Sequence, residues 1–206
     1  MSQRENTPMS YLPFPLDALY PAFCAGTLQV HFDRIFQAHR DALTVLRASY
    51  PEIAELSARE LLMRRNLPRR DTEEILWHAG AVFSHELYFS SLAPSIGGYP
   101  KPKGELASTL SRDVGSLGEL AYRLGEAAAS MHGVGFIYLI RDARGSLVIR
   151  SLKDYDCPSL ARELPLFCID LWEHAYFSDH GASPEKAVNA FLSVLSWDTV
   201  EKRFYS

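Results

Sequence analysis

Three histidines and one aspartate in this chain have the residue types and the placement to bind a metal ion. His31 and His85 each fall on the apolar stripe of a helical pattern, while Asp170 ends an apolar run four residues before His174. Imidazole nitrogens together with a carboxylate oxygen suit a first-row transition ion, and zinc accepts the same donors. A lone histidine on an apolar face is usually a core residue, but the convergence of four such groups favours a metal site.

Helices must position the two amino-terminal histidines. Apolar residues spaced three and four apart predict amphipathic helices over residues 27–49, 57–65 and 71–91. Ser57 followed by Glu60, and Asp71 followed by Glu74, each predict a capping box at a helix start. His31 and His85 would then project from the buried faces of the first and third helices.

The carboxy-terminal half is predicted to contain the strands. Residues 94–104, with three glycines and three prolines, indicate a boundary between two halves. Beyond it, the pattern predicts helices over 105–112 and 117–129, strands over 135–142, 146–152 and 164–171, and a helical tail whose last helix is capped by Asp198. Helices first, then helices around a small three-stranded antiparallel sheet, define an α+β fold.

Composition and charge exclude several classes of function. The 206 residues are 47% hydrophobic and 22% charged, which is typical of a globular protein. A net charge of -4 argues against a nucleic-acid partner. We interpret the arginine-rich stretch 64–70 as a solvated connection between two helices rather than as an anion-binding patch. No apolar run approaches the ~20 residues that span a bilayer, and the polar start lacks a secretory signal, so no membrane association and a cytoplasmic location are expected.

The segment IDLWEHAYF at 169–177 resembles the D-x-W-E-H-A-Y signature of the iron/manganese superoxide dismutase family. The resemblance extends over nearly the whole chain. Four further stretches are similar to conserved parts of the family: LPFPLDALYP at 12–21, SHELYF at 84–89, PKGELASTLSRDVGSL at 102–117 and SVLSWDTVEKRF at 193–204. It implies an amino-terminal helical hairpin domain, 1–98, and a carboxy-terminal α/β domain, 99–206. It also implies one iron or manganese ion per subunit, bound by His31, His85, Asp170 and His174, which converts superoxide to dioxygen and hydrogen peroxide.

The residues around the expected metal depart from the family pattern. The family places a glutamine against a metal-bound solvent molecule from one of two positions, which are Ala81 and Tyr155 here. The gateway tyrosine aligns with His39, and the histidine that normally continues the proton relay aligns with Ile35. Two hypotheses stay open: the solvent network has decayed, or Tyr155 and His39 replace the lost glutamine and tyrosine as hydrogen-bond donors. Trp172 is expected to help seal the site, which suits a redox-active ion.

The resemblance also implies a homodimer. In family dimers, the glutamate next to the last histidine ligand reaches that same histidine in the partner subunit, and Glu173 is retained here. A second bridge normally joins the relay histidine to a tyrosine, and these positions are Ile35 and Phe177. Replacing only one of the two partners would leave a buried polar group unpaired, whereas replacing both with apolar residues is nearly neutral. We therefore interpret this interface as one that has changed its contacts and not as one that has lost its function.

Two alternatives to a dismutase stay open. One is a redox enzyme of another kind, in which the metal activates dioxygen or peroxide for an organic substrate. The small side chain of Ala81 and the apolar side chain of Ile35 would leave space for that substrate. The other is a non-catalytic metal-binding or oligomerisation module. The remaining histidines have no matched role and are expected to be structural or exposed; they are His78, His132 and His180.

Overall fold

Helices precede a small sheet in the chain, as the α+β prediction requires. The computed structural model describes residues 9–94 and 101–206. Its helices are α1 (Ala25–Gln29), a π-helical segment (Val30–Phe36), α2 (Gln37–Ala48), α3 (Ala58–Met63), α4 (Thr72–Ser90), α5 (Gly104–Asp113), α6 (Leu117–Ala129), α7 (Glu173–His180), α8 (Pro184–Ser193) and α9 (Trp197–Phe204). Its strands are β1 (Gly135–Arg141), β2 (Leu147–Lys153) and β3 (Leu164–Asp170). The predicted domain boundary between 98 and 99 lies outside the described residues and stays a prediction.

The first long helix differs from the regular helix that the sequence predicts. It begins after Cys24, and its first and last parts, α1 and α2, are joined by the π segment. A π turn contains more residues than an α turn, so the buried face shifts relative to a 3.6-residue period. Phe36 and Leu43 are therefore buried, whereas Val45 is 69% exposed.

Of the three predicted helix caps, one forms, one takes the N-cap position without the side-chain hydrogen bond, and one is wrong. The capping box at Ser57 forms as predicted. Asp71 makes no side-chain cap on α4, because its carboxylate accepts a hydrogen bond from the Tyr50 hydroxyl at 2.6 Å. The last helix is capped by Ser196 rather than Asp198, which falls inside the first turn. A short polar side chain two residues earlier thus does the capping.

The sheet brings the end of β3 to the centre of the molecule. Its order is β2-β1-β3, with both pairs antiparallel, and β1 and β2 form the predicted hairpin. The central strand β1 is buried along nearly its whole length, and α4 packs against β3. Phe136 in β1 pairs with Asp170, which fixes the end of β3 within the core. Among the described residues, no helix is both long and apolar enough to cross a membrane.

Candidate metal centre

Four elements bring the four predicted ligands together. His31 comes from the π segment, His85 from the middle of α4, Asp170 from the last position of β3, and His174 from the first turn of α7. One possible ligand atom from each residue lies within 4.8 Å of the other three. The first three residues are buried, and His174 is partly buried. The set therefore combines residues from both halves of the fold.

The ligand atoms face one another without bonding to one another. The Nε2 atoms of His31, His85 and His174 lie 3.0, 3.4 and 3.6 Å from Oδ2 of Asp170. All four atoms are buried and have no hydrogen-bond partner in the part of the chain that the structure describes. Leaving a buried polar group unpaired costs about 1–3 kcal/mol. Four such atoms aimed at a shared point fit a cation, which would satisfy all of them at once.

The ionisation of these groups also fits a cation. Burial lowers the pKa of His31 and lowers that of His85 to about 3, so both imidazoles are neutral at pH 7 and keep a free lone pair. Burial opposes ionisation of Asp170, but the adjacent imidazoles of His174 and His31 hold the pKa of its carboxyl below its usual range. Neutral imidazoles and an ionised carboxylate are the forms that bind metals.

Backbone groups hold two of the candidate ligands in orientation. Nδ1 of His85 lies 2.7 Å from the carbonyl oxygen of Ala81, so this nitrogen carries the proton and Nε2 is left with its lone pair. The backbone N–H of Trp172 donates to Oδ1 of Asp170 at 2.8 Å, which leaves Oδ2 for an ion. Ala81, which occupies one of the two glutamine positions of the family pattern, thus contributes through its carbonyl group.

An aromatic wall separates this cluster from the surface. Tyr155 stacks on Trp172, with ring centroids 4.7 Å apart and planes 13° apart. The exposed Trp77 meets Tyr155 edge-on at 4.9 Å, and on the inner side the Tyr155 ring lies 6.0 Å from the His85 ring. Trp172 contacts the His174 ring at 5.9 Å. The wall therefore lies directly against two of the candidate ligands.

Tight backbone packing fixes the position of Tyr155. A Cβ atom at Gly80 would overlap the backbone carbonyl oxygen of Tyr155, so only glycine lets α4 approach this loop so closely. The preceding residue, Asp154, has φ of 50°, a left-handed conformation that Asp tolerates better than most residues. Gly80 on α4 and Asp154 after β2 thus fix the backbone that carries Tyr155, whose ring lies 6.0 Å from that of His85.

Two of the outer residues predicted from the sequence are brought into contact. The hydroxyl oxygen of Tyr155 lies 3.0 Å from Nε2 of His39, and Nδ1 of His39 lies 3.0 Å from Nδ1 of His78. His78 was expected to be structural or exposed, and its place in this chain of hydrogen bonds was missed. Its spacing of seven residues from His85, two turns of α4, is the sequence signal that indicates a shared helix face.

The residue predicted to bridge two subunits lies at the surface. Glu173 opens α7 and is exposed. Phe177, one turn later, is 53% exposed, and Val30 in the π segment is 48% exposed. The π segment and α7 contact each other, and each carries one half-exposed apolar side chain.

Three imidazoles and one carboxylate, converging inside an α+β fold, are a donor set suited to one transition-metal ion. Residues 102–203 match the sequence profile of iron/manganese superoxide dismutases, C-terminal domain. The chain is 30% identical over 194 residues to "Superoxide dismutase [Mn]" of Listeria monocytogenes, which covers 94% of this chain and 95% of that protein. It is also 30% identical over 192 residues to "Superoxide dismutase [Fe]" of Photobacterium leiognathi, with coverage of 93% and 95%. The chain belongs to the iron/manganese superoxide dismutase family.

Proposed function

We propose that this protein is a superoxide dismutase that binds one iron or manganese ion per subunit through His31, His85, Asp170 and His174. The observation that carries the proposal is the set of four buried, unpartnered ligand atoms within 4.8 Å of one another. Relatives named for manganese and for iron are equally similar to this chain, so the proposal includes both metals. The reaction consumes two superoxide ions and two protons and yields dioxygen and hydrogen peroxide.

The bound ion would supply the electron transfer, taking one electron from the first superoxide and giving one to the second. The chain's own residues do the rest. The imidazoles of His31, His85 and His174 and the Asp170 carboxylate supply the four donor atoms, and the backbone contacts of His85 and Asp170 hold two of them in orientation. The wall of Tyr155 and Trp172 restricts entry to small species and keeps bulk water away from the site. Superoxide, with two heavy atoms, is small enough to pass where an organic substrate is excluded.

Tyr155 and His39 are proposed to replace the hydrogen-bonding groups that the family pattern places here. Their 3.0 Å contact supports replacement over decay, because a decayed network would have no reason to retain two polar groups in contact beside buried rings. Tyr155 is 5% exposed, and burial raises the pKa of its hydroxyl, which therefore stays protonated at neutral pH. It is thus available as a hydrogen-bond donor next to the site.

We further propose that two copies of this chain form a homodimer through the region that holds Glu173, Val30 and Phe177. Two half-exposed apolar side chains beside a carboxylate fit a protein contact better than they fit water. The resemblance to the family gives Glu173 a role in such a contact, since the residue adjoins the candidate ligand His174.

The test of this function pairs metal content with superoxide consumption. The purified protein, reconstituted with iron or manganese, is expected to hold one ion per chain and to consume superoxide. Asp170→Asn removes the only anionic ligand of the candidate set, so this variant is expected to lose most of the bound metal and most of the superoxide consumption. Asp33→Asn, at an exposed position in the π segment, is the matched control and should retain both. Full metal occupancy without superoxide consumption in the wild type would overturn the proposal.

A further inference from the structure

His78 forms the outer end of a hydrogen-bonded chain that leads from the surface to the candidate metal centre. The chain runs from His78 Nδ1 to His39 Nδ1 at 3.0 Å, and from His39 Nε2 to the Tyr155 hydroxyl at 3.0 Å. At the inner end, the rings of His39 and Tyr155 each lie 6.0 Å from the ring of His85. The three members come from α2, α4 and the segment after β2, so the fold assembles the chain from distant parts of the sequence.

The outer end of this chain reaches solvent. His78 is partly exposed. Its Nε2 atom makes no hydrogen bond within the described parts of the chain, and it is not among the buried atoms that lack partners. Glu74, one turn earlier on α4, is the charged group that acts on it. Tyr155, by contrast, is buried, so a proton that travels along the chain crosses from water to the interior.

Two facing Nδ1 atoms require one proton between them. Burial lowers the pKa of His39 to about 4 and also lowers that of His78, so at pH 7 each ring is neutral and carries one N–H. If His78 Nδ1 donates, His39 must hold its own proton on Nε2 and donate it to Tyr155. If His39 Nδ1 donates instead, its Nε2 accepts the hydroxyl proton of Tyr155. The tautomer of His78 therefore decides which way the tyrosine hydroxyl points.

We propose that His78 is a positioning residue that passes protons from solvent through His39 to Tyr155. This inference rests on the proposed function, because superoxide reduction consumes the protons. One passage balances as follows: water supplies a proton to His78 Nε2, His78 Nδ1 gives one to His39 Nδ1, His39 Nε2 gives one to the Tyr155 oxygen, and the Tyr155 hydroxyl gives one to the substrate oxygen. One proton enters, one leaves, and no member of the chain changes its net charge.

The hydrogen-bonded chain itself is tested without any measurement of activity. The full-length protein is labelled with 15N at histidine and loaded with Zn(II), a diamagnetic ion. A direct coupling between the Nδ1 nuclei of His39 and His78 across the shared proton is expected in the wild type and should be absent from His78→Ala. No coupling in the wild type would overturn the proposal. So would two zinc ions per wild-type chain and one per His78→Ala chain, because the facing nitrogens would then be metal ligands.

Proton delivery is tested by rescue. His78→Ala should keep its metal content but lose at least about tenfold in superoxide turnover at saturating substrate, since a positioned acid–base group contributes about 10²–10⁴-fold. Added imidazole should restore most of that loss. His78→Asn, which offers an amide near the Nδ1 position but passes no proton, should be equally slow and should not respond to imidazole. His132→Ala, at an exposed histidine, is the matched control and should behave as wild type.

The outcomes separate this inference from the function on which it rests. Wild-type turnover in His78→Ala, or a slow variant that imidazole does not restore, would overturn the role of His78 and leave the dismutase proposal standing. A wild-type protein that shows the nitrogen–nitrogen coupling but consumes no superoxide would overturn the proposed function, and proton delivery with it. Coupling together with rescue would support both.

Discussion

At the scale of single residues, this protein combines an ordinary set of candidate ligands with unusual groups around it. The four candidate ligand residues were identified from their types, their spacing and their resemblance to the family, because each lies on a simple periodic pattern. Tyr155 and His39 were recognised only as departures from that pattern. Their mutual hydrogen bond depends on a contact between residues 116 positions apart, which no local pattern encodes.

Removing the Tyr155 hydroxyl tests the replacement hypothesis. Tyr155→Phe keeps the ring stack on Trp172 but deletes the hydrogen bond to His39, at a cost of about 0.5–1.5 kcal/mol in the free energy of unfolding. We expect metal content to be retained, while superoxide turnover falls and the reduction potential shifts. The measurements are metal analysis, stopped-flow decay and redox titration.

The control for this variant is Tyr122→Phe, which removes a hydroxyl from a tyrosine that is 62% exposed on α6. It should match the wild type in all three measurements. If Tyr155→Phe also matched the wild type in metal content, potential and activity, then Tyr155 would have no part in the chemistry. The interpretation of a decayed network would stand in its place.

At the scale of elements, the position of the aromatic wall depends on how closely α4 packs against the segment after β2. Gly80 permits that approach. Gly80→Ala should force the Tyr155 backbone away and destabilise the fold by about 1–3 kcal/mol, as overpacking of a core does. Equilibrium denaturation in urea measures this change, and the same variant should weaken the nitrogen–nitrogen coupling between His39 and His78.

A second glycine provides the matched comparison. Gly125 lies within α6, where an added Cβ would meet only the Glu185 side chain at 3.9 Å. Gly125→Ala should therefore stabilise the protein by up to about 1 kcal/mol through helix propensity. Equal effects of the two substitutions would show that Gly80 is not a special packing position.

The elements also show where sequence reasoning reached its limit. Helix and strand types follow from periodicity, and both strands of the hairpin and the helix Leu117–Ala129 lie where the pattern predicts. The π segment was missed because one wide turn leaves the surrounding apolar spacing almost unchanged while it rotates everything that follows. The cap at Asp71 failed for another reason: Tyr50, distant in sequence, takes up its carboxylate.

At the scale of the whole molecule, the buried histidines make stability depend on pH. Burial lowers the pKa of His31, His39, His78 and His85 below 6.5, so below that pH the unfolded chain binds more protons than the folded chain. The free energy of unfolding of the metal-free protein should therefore fall as the pH drops from 6.5 toward 4. Glu86, whose pKa is raised by burial, opposes this trend but is a single group. Urea denaturation at pH 7 and pH 5 measures the effect, and equal or greater stability at pH 5 would contradict it.

The proposed dimer is also a property of the whole molecule. The wild-type protein should have about twice the chain mass of 23.2 kDa in solution. Phe177→Asp places a charge in the proposed apolar contact and should shift the mass toward that of one chain, while Tyr122→Asp, on exposed α6, should not. Sedimentation equilibrium measures both. A monomeric wild type, or a Phe177→Asp variant that remains dimeric, would show that this surface is not a dimer interface.

The most direct test of the central claim is stopped-flow decay of superoxide by protein loaded separately with iron and with manganese, each rate divided by the bound metal. A superoxide dismutase should show rapid catalytic turnover with at least one of the two ions, approaching the diffusional ceiling of about 10⁸–10⁹ M⁻¹s⁻¹. Decay no faster than that of the free metal, at full occupancy of both forms, would contradict it. The candidate metal centre would then belong to a redox enzyme with an organic substrate or to a metal-binding protein without turnover.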